Sequence, residues 1–179
     1  AYGRVGMKPV DIITGPGNAF VAEAKRQLFG IVGIDLPAGP TEICVLCDET
    51  ADAALVATDL LGQAEHGPDS PAWLVTTSKA MGKAVLAEID RQLKTLPTRD
   101  MAGRSWRDHG EIVIASSREE ACELVDAYAP EHLEIQTGND NWYLENLKNY
   151  GSAFVGPEAT VAYGDKGVGT NHTLPTSGA

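Results

Sequence analysis

Short apolar runs alternate with amphipathic segments along the chain, and this alternation limits the possible folds more than any other feature. The runs predict strands at residues 10–14, 31–35, 43–46, 73–76, 111–115, 133–136 and 153–155. The segments between them predict helices at residues 18–29, 52–66, 80–93, 119–128 and 141–147. Strands that alternate with helices are typical of an α/β fold with a largely parallel sheet. No element is predicted at residues 94–110, where His109 is interpreted as a surface loop residue.

The charge balance limits the partners of the chain. Lys and Arg number 14 against 25 Asp and Glu, which gives a net charge of −11 and argues against nucleic acid and anionic membrane surfaces. No apolar run is long enough to span a bilayer. Three cysteines, an odd number without a disulfide pattern, suit a reducing compartment. We therefore expect a cytoplasmic protein.

Two cysteines with metal-like spacing are interpreted as core residues. Cys44 and Cys47 lie inside an apolar strand run, where residues three apart face opposite sides. Cys122 is interpreted as a further core cysteine on a helix.

A glycine-rich turn at residues 15–18 follows a predicted strand and begins a helix. That arrangement can direct backbone N–H groups and the positive end of a helix toward a phosphate. Asp35 ends the next strand, where an acid can meet a ribose hydroxyl. The third glycine of the dinucleotide fingerprint is missing, however. The motif alone leaves open a nucleotide site and an ordinary strand–helix turn.

Three polar residues near the end of the second predicted helix can share one face. Asp59 and Gln63 are four residues apart, and Gln63 and His66 are three apart. An imidazole and an amide at this spacing can hold a metal ion. The alternative is a polar helix face with a histidine favoured near the C-terminus by the helix dipole.

An acid and an imidazole are adjacent at Glu131 and His132, after Pro130. If the segment is extended, the two side chains point to opposite faces and form no simple dyad. In a loop, both can approach one substrate as separate general bases. The alternative is a pair of solvated polar residues in a turn.

The last fifteen residues, 165–179, combine Gly, Pro and Thr with Asp165, Asn171 and His172. Gly and Pro bring loop backbone close to ligands, and the acid, amide and imidazole supply chemistry. We therefore expect this segment to lie at an active site, and the chain to be cut there.

Taken in order, these motifs resemble the histidinol dehydrogenase family. The resemblance extends over essentially the whole chain and is carried by GPGNAFV at residues 15–21, AGPTE at 38–42, DLLGQAEH at 59–66, APEHLE at 129–134 and GDKGVGTNHTLPT at 164–176. It implies a zinc-dependent, NAD-linked dehydrogenase that oxidises an amino alcohol, L-histidinol, to L-histidine in two hydride transfers. The chain corresponds to a central part of that family's polypeptide.

The resemblance also implies roles for individual residues, which are by position the zinc ligands Gln63, His66 and Asp165, the nicotinamide dinucleotide contact Asn18, the substrate contact Thr41 and the catalytic pair Glu131 and His132. The zinc ligands and His132 are implied to contact the substrate as well. His132 would remove the hydroxyl proton, and Glu131 would then activate water against the aldehyde. Zinc would act as a template for the substrate.

The family's domain plan implies a division near residue 41. Residues 1–41 match the C-terminal part of an incomplete, Rossmann-like dinucleotide-binding domain. Residues 42–179 match the second half of the larger α/β catalytic domain. The turn at residues 37–40 is the one plausible boundary in the sequence. The full-length protein is implied to be a homodimer.

Two departures from the family pattern concern the substrate. Lys166 stands where the family commonly has tyrosine after the metal-binding acid, and Thr41 stands in place of serine. A cation beside the zinc site suits an anionic substrate, so a paralogue that oxidises another small alcohol, such as a sulfonated propanediol, is one alternative. A lysine that simply faces solvent is the other explanation for Lys166. A fragment that keeps the fold without turnover is a further alternative for the whole chain.

Overall fold

The chain divides into two compact units, residues 1–40 and residues 41–179. The computed structural model describes residues 2–15, 19–35 and 40–159. Within this part of the chain, no helix has the length and apolar character needed to cross a lipid bilayer.

The first unit contains a small strand–helix–strand motif. Strand β1 (Ile12–Ile13) pairs in parallel with β2 (Gly33–Ile34), and helix α1 (Ala19–Leu28) lies between them in the chain. Lys25 of α1 is buried, and its ammonium group contacts the carbonyl oxygen of Gly15 and the carboxylate of Asp35. The Gly15 N–H donates to the other oxygen of Asp35 at 2.7 Å. The segments that follow β1 and β2 therefore both contact the buried ammonium group of Lys25.

The second unit is built on five parallel strands in the order β5-β4-β3-β6-β7. The strands are β3 (Ile43–Cys47), β4 (Ala72–Thr76), β5 (Gly110–Ile114), β6 (His132–Gln136) and β7 (Ser152–Val155). The helices are α2 (Ala53–Ala64), α3 (Lys79–Gln92), α4 (Arg99–His109), α5 (Arg118–Tyr128) and α6 (Asp140–Asn146). The alternation of elements and the parallel sheet confirm the α/β fold class.

Two apolar layers cover the faces of this sheet. On one face, Ile43, Val45 and Cys47 of β3 pack with buried residues of α2 and α3. On the other face, Cys44 and Leu46 pack with buried residues of α5 and α6. Every residue of β3 is buried, because a central parallel strand is covered on both sides. The two faces of one strand therefore belong to two separate core clusters.

Local signals explain where several of these helices begin and end. Asp52 caps α2 by accepting from the Ala54 N–H at 2.8 Å, and Ser117 caps α5 by accepting from the Glu120 N–H at 3.1 Å. Helix α5 ends at Tyr128 and is capped by Ala129, which has a φ of 46° in the left-handed region. Pro130 follows and cannot continue the helix.

Helix α4 corrects the sequence analysis, which predicted no element in that segment. His109 is exposed as expected, but it is the last residue of α4 and not a loop residue. The helix buries only Ala102 and Ser105, so its apolar stripe is too short to stand out among the charged residues around it.

The core assignment makes a testable prediction about leucines on neighbouring helices. Leu60 of α2 is fully buried, whereas Leu86 of α3 is 46% exposed. Leu60→Ala should lower the free energy of unfolding by about 2–5 kcal/mol, because it leaves a cavity under α2. Leu86→Ala is the matched control and should cost less than about 1 kcal/mol. Urea denaturation of the purified protein measures both values, and equal losses would contradict the assigned packing.

Candidate active site

The candidate catalytic residues lie at the amino end of β6, next to the amino end of β3. Glu131 immediately precedes β6, and His132 is its first residue. Both are buried, with exposed fractions of 0% for Glu131 and 3% for His132. The alternative of two solvated turn residues is therefore wrong.

The backbone of Glu42 holds both residues. Its N–H donates to Glu131 Oε2 at 3.2 Å. Its carbonyl oxygen lies 3.0 Å from His132 Nδ1 and also accepts from the His132 backbone N–H at 3.3 Å. These contacts follow from the pairing of β3 with β6, in which Ile43 lies opposite His132. One peptide segment therefore sets the position of the acid and of the imidazole.

The contact with the Glu42 carbonyl determines which nitrogen of His132 can act as a base. A carbonyl oxygen only accepts hydrogen bonds, so Nδ1 of the neutral ring carries the proton and Nε2 carries the lone pair. Nε2 lies 3.4 Å from Glu131 Oε1. The imidazole is thereby oriented as a proton acceptor beside a buried carboxyl group.

The contact between Glu131 and His132 rules out the extended arrangement, in which the two side chains would point to opposite faces. Strand alternation does not apply to Glu131, because the preceding Ala129 has a left-handed backbone and β6 begins only at His132. The carbonyl groups of Pro130 and Glu131 accept from Gly151 and Ser152, both at 2.9 Å. The turn that joins the two residues is thus held by the start of β7.

Gln63 and His66 lie at the end of α2, but in different environments. Gln63 is 5% exposed, and its Nε2 has no hydrogen-bond partner among the described residues. The helix ends at Ala64, and exposed His66 lies beyond it. His66 therefore does not share a helix face with Gln63, contrary to the prediction. The alternative of a polar helix face does not hold for Gln63, because its side chain is buried.

This donor set fits a zinc ion in part. An imidazole, an amide oxygen and a carboxylate are ligand types that zinc accepts, and Gln63 places a buried amide at the end of α2. The Gln63 atom without a described partner is the donor Nε2, which would need an acceptor and not a metal ion. The third predicted ligand, Asp165, lies outside the described residues, as does the predicted dinucleotide contact Asn18. In the described ranges, no group of three His, Cys, Asp or Glu side chains forms a metal site.

Thr41 is half-buried and immediately precedes Glu42, which places it next to the peptide that contacts Glu131 and His132. Lys166, Asn171 and His172 fall outside the described residues. The site roles stay predictions for all of the residues implied by the resemblance: Asn18, Thr41, Gln63, His66, Glu131, His132 and Asp165.

A polar cluster behind the catalytic pair was missed by the sequence analysis. Gln136 Nε2 donates to Asp59 Oδ2 and to Glu134 Oε2, both at 3.2 Å. Burial and the adjacent Asp59 carboxylate raise the pKa of Glu134 to about 9, and burial also raises the pKa of Asp59. The signal was present in the sequence, since His132, Glu134 and Gln136 alternate with the apolar Leu133 and Ile135.

Asp35, considered for a ribose contact, has both carboxylate oxygens engaged inside the first unit. Lys25 Nζ lies 2.5 Å from Oδ1, and the Gly15 N–H donates to Oδ2. The structure therefore gives Asp35 a role in holding Gly15 and Lys25, and a ribose contact stays a prediction.

The cysteines are core residues, as expected. Cys44 and Cys47 are buried on opposite faces of β3, in different core clusters. Burial raises the pKa of all three thiols, and that of Cys47 reaches about 12.

The raised pKa values predict slow modification of Cys44 and Cys47. The thiolate is the reactive form, so a rise in pKa from 9.0 to about 12 lowers its fraction at pH 8 roughly a thousandfold. Alkylation by iodoacetamide, followed by mass spectrometry, should be slower by at least that factor in the native protein than in denaturant. Rapid native alkylation of either residue would contradict the core assignment.

Comparison with known proteins identifies the family. A family model described as histidinol dehydrogenase matches residues 1–179. A histidinol dehydrogenase homolog from Shouchella clausii is 58% identical over 179 residues, and a sulfopropanediol 3-dehydrogenase from Ruegeria pomeroyi is 51% identical over 181 residues. Each alignment covers 100% of this chain and 42% of the relative.

A solved structure gives the same result. The crystal structure of histidinol dehydrogenase from Elizabethkingia anophelis matches with a TM-score of 0.87 and 41% identity, over 99% of this chain and 41% of that chain. The chain thus spans less than half the length of these proteins. Because the family model matches the chain over its whole given length and the sequence and fold comparisons agree with it, the chain belongs to the histidinol dehydrogenase family.

Proposed function

We propose that this chain forms part of an NAD-linked, zinc-dependent dehydrogenase that oxidises a small alcohol. The observation that carries the proposal is the buried pair of Glu131 and His132, held by one peptide segment at Glu42. An imidazole fixed with its lone pair on Nε2 is arranged to accept the proton of an alcohol. Family membership supports the reaction class.

The roles of the two residues follow from their positions. As the alcohol is oxidised, His132 Nε2 takes the hydroxyl proton, and its Nδ1–H remains bonded to the Glu42 carbonyl throughout. Glu131 lies beside that nitrogen and is oriented by the Glu42 N–H. In a second oxidation, its carboxylate would take a proton from the water that adds to the aldehyde, and His132 would then take one from the hydrate.

Gln63, His66 and Asp165 would hold the zinc ion, and Asn18 would contact the dinucleotide. When bound, zinc would supply a positively charged template for the substrate, and NAD would accept hydride. Gln63 would bind zinc through its amide oxygen, and its side chain is buried at the end of α2. A cytoplasmic location and a homodimeric assembly remain predictions of the resemblance.

Two substrate classes are candidates. L-histidinol is the substrate that family membership favours, and its oxidation to L-histidine would belong to histidine biosynthesis. A sulfonated propanediol is the second candidate, because the relative from Ruegeria pomeroyi is a sulfopropanediol 3-dehydrogenase and is 51% identical. Lys166 beside the proposed zinc ligand Asp165 supports an anionic substrate. Thr41 keeps the hydroxyl expected at the substrate contact in either case.

The test uses the protein encoded by the complete gene. It is purified with zinc and offered NAD with L-histidinol or with a sulfonated propanediol, and NADH formation is followed. The proposal expects turnover of at least one substrate and loss of activity on zinc removal. Absence of turnover with both substrates would contradict the proposal and favour a protein that keeps the fold without catalysis.

Variants of the catalytic pair should separate its two roles. His132→Asn should lower kcat/KM for alcohol and for aldehyde by about 10²–10⁴, because each step needs a proton removed from oxygen. Glu131→Gln keeps an oxygen for the Glu42 N–H but removes the base, so it should chiefly depress aldehyde oxidation. Exposed Glu145 of α6 offers a control, Glu145→Gln, which should change neither step. Equal losses in both steps for both active-site variants would overturn this division.

Lys166→Tyr should separate the two substrate classes. Two unit charges about 4 Å apart interact by roughly 4 kcal/mol at an effective dielectric near 20, which is enough to decide between substrates. If Lys166 faces the pocket, the variant should shift the ratio of kcat/KM values toward histidinol by more than about threefold. A smaller change would show that Lys166 faces solvent and would favour histidinol as the natural substrate.

A further inference from the structure

Two carboxyl groups from different elements meet inside the second unit. Asp59 projects from α2 and Glu134 from β6, and they are hydrogen-bonded to each other. Gln136 Nε2 donates to Asp59 Oδ2 and to Glu134 Oε2, so it bridges the same two groups. Glu134 is 3% exposed and Gln136 is 3% exposed. Asp59 is half-buried, so the cluster is a largely buried polar connection between a helix and the strand that carries His132.

Two ionised carboxylates are not stable in such a place without a cation. In the described part of the chain, the contacts of this pair are with each other and with the neutral amide of Gln136. The other titratable groups nearby are His132 on the same strand, Glu131 before it, and Cys47, which lies opposite Gln136 on β3. Neighbouring β7 presents Phe154 opposite Glu134. Like charges in contact, away from water, keep a proton between them.

The position of the pair relates it to the proposed catalytic groups. Strand alternation puts Glu134 between His132 and Gln136 on one face of β6. Asp59 lies four residues before Gln63, which is about one turn, or roughly 6 Å, along α2. Because α2 returns the chain from the end of β3 to the start of β4, it runs opposite to the strands. When Asp59 contacts Gln136 and Glu134, Gln63 lies one turn further toward the amino end of β6, which is the end where His132 lies.

We propose that Asp59 and Glu134 share one proton and act as positioning residues that hold α2 against β6, and with it Gln63 against His132. The proposal rests on the proposed function for its catalytic consequence. The shared proton turns a repulsion between two carboxylates into a hydrogen bond, and one negative charge remains on the pair. The bridging amide of Gln136 stabilises that charge.

Glu134→Gln and Glu134→Ala test the proposal in the protein encoded by the complete gene. Gln offers Asp59 an N–H in place of the shared proton, whereas Ala removes the contact. The control is Glu123→Gln on α5, which removes an exposed carboxyl group of the same type. The readouts are the infrared C=O stretch of a protonated carboxyl group, the pH dependence of unfolding, and kcat/KM.

The first two readouts do not depend on activity. The protonated-carboxyl band should be present in the wild type and the control at pH 7 and missing in Glu134→Gln. The pKa of Glu134 is raised from 4.5 to about 9, so the folded state holds a proton that the unfolded chain releases across this range. The folding equilibrium constant of the wild type should therefore fall by up to tenfold per pH unit as pH rises from 5 to 9, relative to Glu134→Gln. No band in the wild type, or an unchanged band in Glu134→Gln, would overturn the shared proton.

The third readout tests positioning. Glu134→Ala should lower kcat/KM by more than tenfold, and Glu134→Gln should recover at least tenfold of that loss. Equal losses in the two variants would overturn the positioning role, even with the band present. If Glu134→Ala does not fold, a Glu134→Gln protein with under a tenth of wild-type kcat/KM overturns that role, and a higher value supports it. A protein without turnover on any alcohol leaves the band and the pH dependence as the deciding results.

Discussion

The pairing of β3 with β6 is the constraint on which the rest of the site depends. It places Ile43 opposite His132, and this brings the peptide of Glu42 to the start of β6. The N–H and the carbonyl group of that one residue then contact the acid and the imidazole. A slip of one residue would turn every side chain of β6 to the other face, because side chains alternate along a strand. The central apolar residues of both strands, buried in two clusters, prevent such a slip.

The candidate site lies at the amino ends of the parallel strands, whereas ligands of such sheets usually bind at the carboxyl ends. The strand order β5-β4-β3-β6-β7 reverses direction between β3 and β6, and ligands of such sheets commonly bind at the carboxyl ends of the strands there. At that edge, Asp48 instead accepts from the Gly138 N–H at 2.8 Å and from the Thr50 N–H at 2.9 Å, which joins the two loops. Glu131 and His132 lie at the amino ends, where α2 also terminates. The C-terminal end of α2 and the amino ends of β3 and β6 thus lie at the same end of the sheet as Glu131 and His132.

The fold was largely predictable from the sequence, and the details of the site were not. Buried parallel strands are apolar runs between turns, so each strand of the second unit was found within a residue or two of its limits. Helix α4 was missed because its buried face consists of Ala102 and Ser105 only. The sequence left open whether Glu131 and His132 meet, because their contact depends on the left-handed backbone of Ala129, which no local rule requires of alanine. The Asp59–Glu134 contact joins residues 75 positions apart, and pairings of that kind follow only from the assembled sheet.

Main-chain atoms hold Glu131 and His132, so the residues that would carry the chemistry can be kept separate from those that would select the substrate. The Glu42 contacts to Glu131 and His132 use a peptide N–H and a carbonyl group, so they do not depend on which side chain stands at position 42. Side chains that face a substrate can then change without moving the acid or the base. Under the proposed function, Thr41 and Lys166 belong to this variable set, while the buried groups of β6 form the constant one. The buried polar groups of β6 also lower the stability of the fold, since a buried polar group without a partner costs about 1–3 kcal/mol. Gln136 Oε1 is such a group among the described residues, and the two apolar clusters around β3 offset its cost.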